Sequence, residues 1–225
     1  MIGIIAAMDS EVEAIVQLLK DKEEFIKSSI RMIKGMIGTQ SVIVMKSGVG
    51  KGNAAMSTTI LLENFQLEKL INIGTAGGLD SKQEILDAVV STSVVQHDFD
   101  TSAVDGKDGI GLYYDANQEL VKQCSDVLEN LNIRVHCGLI ASGDQFIAKD
   151  EQLAYLKEQF PNAICAEMEA GAIAQVCSHY HIPFVVLRSL SDIAYRNDSH
   201  MDFQTYVQHA ANRSAKFCEA LLQQN

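Results

Sequence analysis

The sequence has few of the features that mark membrane, secreted or nucleic-acid-binding proteins. It contains two prolines and no tryptophan, and no apolar run approaches the roughly 20 residues of a membrane-spanning helix. Its formal net charge of -11 argues against the clustered Lys and Arg that a nucleic-acid backbone requires. We therefore expect neither a membrane nor a nucleic acid as a partner.

The first residues are unlike a secretory signal peptide, and the cysteines do not form a disulfide framework pattern. Residues 1–8 are apolar but short, no basic segment precedes them, and acidic residues follow at once. The five cysteines are odd in number and show no C-x-x-C spacing. We expect buried thiols in a reducing cytoplasm. The cysteines are Cys124, Cys137, Cys165, Cys177 and Cys218.

What the chain does contain is a regular alternation of two patterns. Short β-branched runs alternate with amphipathic stretches, and no Pro-rich, Ser-rich or repetitive linker interrupts them. This alternation is typical of α/β proteins. The length and the hydrophobic content of 47% suffice for one well-buried core, so we expect a single domain over residues 1–225.

The predicted elements place the candidate site residues at strand ends, where open α/β sheets bind ligands. A first helix is predicted to begin near residues 8–11, and a final helix to carry apolar residues on one side. Predicted strands cover residues 2–7, 69–73, 88–95, 135–141, 163–166 and 184–190, with a hairpin over 31–46 through Gly35 or Gly38. Further helices are predicted over 53–63, 119–131 and 168–180.

The first strand-to-helix turn contains three acidic residues. Ser10 and Glu13 have the S-x-x-E spacing of a capping box, which gives Glu13 a structural role. Glu11 lies at the first helical position, directly after the strand. It either points into a site or complements the helix dipole.

Two glycine clusters follow predicted strands, at residues 46–52 and 73–78. The first is not a Walker A loop, because Met45 stands where a glycine is needed and Gly52 where Ser or Thr is needed. The second does not fit the dinucleotide fingerprint. Each cluster is either a simple turn or a place where the backbone approaches a ligand such as a sugar.

Glu167 and Glu169 lie where a predicted strand gives way to a helix. On the helix that is predicted to begin here, residues two apart point in different directions, so only one of the two can readily face a given ligand. A carboxylate in that position can accept hydrogen bonds from both vicinal hydroxyls of a ribose. Helix-dipole complementation is the alternative role.

Asp192 and Phe146 are the remaining candidates. Asp192 follows Ser191 at the end of a strongly apolar strand, where desolvation is expected to raise its pKa toward that of a general acid. Helix capping by either residue is the competing explanation. Phe146 follows a polar turn and is either a core anchor or a face on which a purine stacks. His97 has no second histidine at metal-binding spacing, so we expect no metal site.

Taken in order, these segments resemble the nucleoside phosphorylase/hydrolase family, and the resemblance covers nearly the whole chain. It is carried by residues 2–8, 47–51, 72–78, 142–147, 167–169 and 191–192. The resemblance implies a three-layer α/β/α fold with a central mixed twisted sheet. It also implies a homodimer that needs no metal or organic cofactor.

The resemblance further implies hydrolysis of the N-glycosidic bond of 5′-methylthioadenosine and S-adenosylhomocysteine, and of 5′-deoxyadenosine as a further candidate, to adenine and the ribose derivative. By similarity, Asp192 protonates the purine at N7 and Glu11 activates water. The resemblance assigns Glu169 to the ribose hydroxyls, and Glu167 beside it stays a candidate for binding the substrate. The other residues it implicates in substrate binding are Met8, Val49, Thr75, Phe146, Ile147, Met168, Ser191 and Phe203.

Two alternatives remain open at this point, a purine nucleoside phosphorylase of the same fold and a non-catalytic adenosine-binding protein. Asn72 stands where the phosphorylases carry an arginine, which favours hydrolysis. Arg31 and Arg188 keep a phosphate site possible. The stretch 102–106 departs from the Thr-Ala-Phe-Gly of the family, which leaves the preferred 5′-substituent open.

Overall fold

The computed structural model describes residues 1–194 and 199–223, and over these residues ten strands form one mixed sheet with seven α-helices around it. The strands are β1 (Ile2–Ala6), β2 (Lys20–Lys27), β3 (Ile30–Ile37), β4 (Gln40–Lys46), β5 (Lys69–Gly78), β6 (Ala88–Asp100), β7 (Ile110–Asp115), β8 (Val135–Ser142), β9 (Ala163–Glu167) and β10 (Phe184–Ile193). The helices are α1 (Asp9–Val16), α2 (Lys51–Asn64), α3 (Ser102–Asp105), α4 (Gln118–Asn130), α5 (Asp150–Gln159), α6 (Ala170–Tyr180) and α7 (Ser199–Gln223).

The strand pairing brings several carboxyl ends together. β5 pairs in parallel with β1 along its first half and with β10 along nearly its whole length. β10 also pairs with β6, β6 pairs with β8, and β8 pairs with β9. β9 in turn pairs with Gly77 and Gly78 at the end of β5. These five strands therefore close a ring, and β1, β4, β3 and β2 extend the sheet from it.

Helices cover both faces of the sheet, as the predicted three-layer α/β/α fold requires. On one face α1, α4 and α7 bury side chains such as Ile15, Cys124 and Phe217. On the other face α2 and α6 bury Leu61 and Ile173. The predicted fold class is therefore confirmed.

Within the described residues, no helix has both the length and the apolar character that crossing a membrane would require.

All of the predicted strands and helices occur, but the structure adds further elements that the sequence patterns did not reveal. β2 reads KDKEEFIK and is mostly exposed, so it carries no alternation of apolar and polar residues. β7 and α5 were missed as well. The predicted hairpin is formed by β3 and β4 and turns at Gly38, whose φ of 58° suits glycine.

The predicted capping box at the start of α1 is wrong. The helix begins at Asp9, two residues earlier than a Ser10 cap would allow. Glu13 forms an exposed ion pair with Arg31, with 3.1 Å between Oε1 and Nη1. The carboxylate that reaches back to the backbone is that of Glu11, which accepts from the amides of Ala7 and Met8.

Candidate active site

A cavity of about 180 Å³ lies at the carboxyl ends of β1, β5, β9 and β10. All twelve residues that the family resemblance suggested for catalysis or substrate binding line it, although they come from positions as far apart as residues 8 and 203. The twelve are Met8, Glu11, Val49, Thr75, Phe146, Ile147, Glu167, Met168, Glu169, Ser191, Asp192 and Phe203.

Glu11 is buried at the base of this cavity, with 2% of its surface exposed. Its Oε2 accepts hydrogen bonds from the amides of Ala7 and Met8, each at 3.0 Å. Its Oε1 accepts from the amide of Thr75 at 3.0 Å and lies 3.4 Å from the Thr75 hydroxyl. Burial raises the pKa of Glu11, against the lowering effect of these hydrogen bonds and of the positive charge of Arg188. A buried carboxylate with a raised pKa is suited to accept a proton.

Arg188 is the functional residue whose role the sequence did not reveal. It is fully buried on β10, and its Nη2 donates to Glu167 at 2.5 Å and to Asn72 at 2.6 Å. A β-carbon added at Gly74 would lie 3.0 Å from both Arg188 Nη1 and Glu11 Oε1, so glycine is what lets these two groups approach one another. The sequence feature that could have indicated this role is the position of Arg188 as a lone arginine within an apolar strand, because a buried arginine requires a buried partner.

Glu167 and Glu169 point in different directions, as predicted. The Glu167 carboxylate accepts from the amides of Glu169 and Ala170 at the start of α6, where a negative charge is favoured by the helix dipole. It also pairs with Arg188, and both side chains are almost fully buried. The oxygens of Glu167 are therefore engaged within the protein, although the residue lines the cavity.

Glu169 is the carboxylate of the pair that is positioned for a ligand. It stands immediately before α6, and its Oε1 accepts from the amide of Gly50 at 2.9 Å. Burial raises its pKa to about 7, and the negative charge of Glu167 contributes to the rise. Small changes in its surroundings therefore alter its charge near neutral pH.

A β-bulge places Asp192. In the parallel pairing of β10 with β5, Leu190 lies opposite Ala76 and Asp192 opposite Gly77, so Ser191 is an extra residue. An extra residue in a strand redirects the side chain that follows it. The Ser191 hydroxyl donates to Asp192 Oδ1 at 2.9 Å, and both residues are buried.

Glu11 and Asp192 are thus held by the same strand. Glu11 contacts Thr75 and Asp192 lies against Gly77, two residues further along β5. Two residues of a strand span about 7 Å. Both carboxyl groups line the same cavity.

Aromatic and apolar side chains form the outer wall. Phe146 and Phe203 meet edge to face, with 5.4 Å between ring centroids. Phe146 is 43% exposed and so is not a core anchor, whereas Ile147 beside it is buried. A half-exposed ring at the edge of a cavity offers a face for a flat aromatic ligand.

The other candidates from the sequence lie elsewhere. Arg31 is half exposed and pairs with Glu13 and Glu24 outside the cavity. His97 is buried and packs against Phe160, with ring centroids 6.5 Å apart. Within residues 1–194 and 199–223, no group of three or more His, Cys, Asp or Glu side chains is arranged to hold a metal ion.

Comparison with known proteins gives consistent matches along the chain. The model of the phosphorylase superfamily matches residues 1–223. The 5′-methylthioadenosine/S-adenosylhomocysteine nucleosidase of Oceanobacillus iheyensis is 41% identical over 219 residues, which cover 96% of this chain and 95% of that protein.

Solved structures show the same likeness. S-adenosylhomocysteine nucleosidase from Streptococcus pyogenes, in complex with 5-methylthiotubericidin, superposes with a TM-score of 0.94 at 36% identity, over 99% of this chain and 96% of that one. The futalosine hydrolase of Helicobacter pylori superposes with a TM-score of 0.93 at 32% identity, over 100% and 98% of the two chains. The fold is thus shared by hydrolases that are named for different nucleosides.

Proposed function

The chain belongs to the phosphorylase superfamily, and on that premise we propose that it hydrolyses the N-glycosidic bond of 5′-methylthioadenosine and S-adenosylhomocysteine. The products are adenine and the corresponding thioribose derivative. The observation that carries this proposal is the pair formed by Glu11 and Asp192, which line one cavity from opposite ends of the Thr75–Gly77 segment.

Asp192 acts as the general acid. Adenine is a poor leaving group as an anion, so a proton delivered to N7 lets it depart as a neutral base. Ser191 donates its hydroxyl hydrogen to Oδ1, which fixes the orientation of the carboxyl group. Gly77 leaves the space that the acid occupies, because a β-carbon there would stand 3.0 Å from Oδ2.

Glu11 acts as the general base for the attacking water. A carboxylate oxygen has two lone pairs, and those of Oε2 are taken by the amides of Ala7 and Met8. Oε1 accepts from the Thr75 amide at 3.0 Å and from the Thr75 hydroxyl only at 3.4 Å. We assign the water proton to Oε1 because it is the less tightly engaged oxygen. The raised pKa of Glu11 makes this transfer easier.

The charge around the ribose favours hydrolysis over phosphorolysis. Departure of the base leaves a ribosyl group with oxocarbenium character, which nearby carboxylates stabilise. Among residues 1–194 and 199–223, Glu11, Glu167 and Glu169 line the cavity with one guanidinium, that of Arg188, which already pairs with Glu167. An incoming phosphate anion would meet more negative than positive charge in this arrangement.

The remaining wall residues bind the substrate. Glu169 accepts hydrogen bonds from the ribose hydroxyls, and Glu167 supports it by capping α6 and holding Arg188. Phe146 and Ile147 hold the adenine. The sugar and the 5′-substituent lie against Met8, Val49, Thr75, Met168 and Phe203.

Adenine release in phosphate-free buffer, and again with phosphate added, tests this function. The expected result is free thioribose from methylthioadenosine without phosphate. Release only with phosphate, as a sugar 1-phosphate, would instead make the protein a phosphorylase. The same assay on S-adenosylhomocysteine and 5′-deoxyadenosine ranks the 5′-substituents.

We also infer that the protein is a homodimer, as the family resemblance implies. Val104 is 87% exposed and Tyr113 53% exposed, in the region that the resemblance places at the subunit contact. Apolar side chains so exposed are typical of an interface. Light scattering at micromolar concentration is expected to give twice the 24.6 kDa mass of the chain, and a monomer would contradict this assignment.

A cytoplasmic location is supported by the cysteines. All five are free, and four of them are buried. Burial raises the pKa of Cys124 and of Cys177 to about 12, so these thiols stay protonated. Fractionation of the source cells is expected to recover the activity in the cytosol.

A further inference from the structure

Lys51 follows the glycine turn after β4 and has no part in the chemistry proposed above. Its Nζ donates to Asp98 Oδ1 at 2.5 Å and to Gln96 Oε1 at 3.2 Å. The side chains of Lys51 and Asp98 are 18% and 22% exposed, whereas those of the surface pair Lys122–Asp126 are 77% and 54% exposed. Solvent therefore screens the Lys51–Asp98 pair much less.

Lys51 and Asp98 are also connected through Asp144. The backbone amide of Lys51 donates to Asp144 Oδ1 at 2.7 Å, and the backbone amide of Asp144 donates to Asp98 Oδ2 at 2.9 Å. These three residues, which we call the Lys51 ring, come from the start of α2, the end of β6 and the segment after β8. Each of them contacts the other two, so the ring fixes the backbone at residues 50–51.

Gly50 links the Lys51 ring to the active site. Its amide donates to Glu169 Oε1 at 2.9 Å. Its φ of 92° is one that glycine adopts readily and other residues do not. A β-carbon at Gly50 would lie 3.0 Å from Asp144 Oδ1, which shows that the ring packs directly on this residue.

We propose that Lys51 is a positioning residue, which holds the Gly50 amide on Glu169 through its contacts with Asp98 and Asp144 and thereby sets the affinity for the ribose hydroxyls. This inference rests on the proposed role of Glu169 in binding the sugar. It gives the lysine of the glycine cluster a function other than phosphate binding. The adenine contacts depend on it less, because Lys51 Nζ bonds to Asp98 and Gln96 and not to the Phe146–Ile147 segment assigned to adenine.

Kinetics of three variants test the proposal. Lys51→Met is expected to raise KM for methylthioadenosine about tenfold, the size of one weakened hydrogen bond to a charged group, with little change in kcat. Inhibition by adenine, which has no ribose, is expected to stay the same. Lys51→Arg, which keeps the charge, is expected to restore KM. Lys122→Met removes an exposed ion pair far from the site and serves as the matched control.

The pH profile separates positioning from a general loss of structure. The Gly50 hydrogen bond and the charge of Arg188 lower the pKa of Glu169, whereas burial and the charges of Glu167 and Glu11 raise it. Loss of the Gly50 bond alone therefore shifts the acid limb of kcat/KM to higher pH in Lys51→Met. A variant that merely loosens the fold has no reason to shift it.

Three results would overturn the proposal: an unchanged KM in Lys51→Met, an equal loss of adenine inhibition, or no recovery in Lys51→Arg. Failure of the proposed function gives a different result, because the wild-type protein would then not hydrolyse methylthioadenosine. In that case, calorimetric titration with the nucleoside and with adenine decides the role of Lys51 from the two Kd values. Equal changes in both Kd values would reject it.

Discussion

The carboxylate of Asp192 packs directly on Gly77 of the neighbouring strand. A β-carbon at residue 77 would stand 3.0 Å from Asp192 Oδ2, closer than almost any real contact of a β-carbon. The bulge at Ser191 places Asp192 opposite Gly77 in the parallel ladder. The position of the proposed acid therefore depends on residue 77 of the neighbouring strand being a glycine, which has no side chain.

Replacement of this glycine is expected to impair catalysis without a change at any charged group. Gly77→Ala should lower kcat by about 10²-fold, because a displacement of the acid by a fraction of an ångström to one ångström disrupts proton transfer. Steady-state kinetics provide the measurement. Gly52→Ala is the matched control, since a β-carbon there meets nothing within 4 Å. Normal kcat in Gly77→Ala would mean that the position of Asp192 is not critical.

Asp192→Asn is expected to lower kcat by about 10²- to 10⁴-fold, the usual contribution of a general acid. Binding of methylthioadenosine should persist, because the amide fills the same space. Calorimetry measures the Kd, and rapid-quench kinetics the residual turnover. Ser191→Ala, which keeps the carboxyl and loses one hydrogen bond to it, should lose about tenfold or less. Full activity in Asp192→Asn would exclude Asp192 as the acid.

Glu11→Gln is expected to lower kcat by a similar factor, because an amide cannot take a proton from water. In the wild type, activity needs the ionised form of Glu11 and is therefore lost as the pH falls through its pKa. Burial raises that pKa, so the acid limb of kcat lies above the ordinary value of 4.5. A pH–rate profile locates the limb. Unchanged turnover in Glu11→Gln would assign water activation to another group.

Ribose binding is expected to weaken as the pH falls through about 7. Glu169 accepts hydroxyl hydrogens best when it is ionised, and its pKa is raised to about 7 by burial and by the charge of Glu167. The Kd of methylthioadenosine can be measured without turnover in Asp192→Asn. The pH dependence should disappear when Glu169→Gln is added. Adenine binding, which needs no ribose contact, is the control, and the same dependence for adenine would refute the role of Glu169.

Arg188→Met is expected to reduce the free energy of unfolding by about 3–5 kcal/mol, because it leaves the buried carboxylate of Glu167 without its partner. Arg31→Met removes a guanidinium with two exposed partners and should cost less than about 1 kcal/mol. Urea denaturation of both variants measures the difference. Equal losses would show that burial of the Arg188–Glu167 pair has no energetic consequence.

The sequence predicted the elements with strong periodicity and missed those without it. β5 and β10 are buried along nearly their whole length, so their apolar runs were clear signals. β2 is an exposed edge strand, and its pairing with β3 rather than its own composition makes it a strand. The Ser10–Glu13 capping box failed because α1 starts at Asp9, a boundary that local spacing does not determine.

By itself, the sequence indicated the α/β class, because strand periodicity is a local feature, and its resemblance to the nucleoside phosphorylase/hydrolase family indicated twelve residues that line the site. Only the tertiary structure decided which partner each of those side chains contacts. Glu167 faces Arg188 while Glu169 faces Gly50, and the contact partners of both come from strands and turns distant along the chain. The bulge at Ser191 likewise exists only in the register between β10 and β5. Such relationships depend on packing between elements, which no local pattern contains.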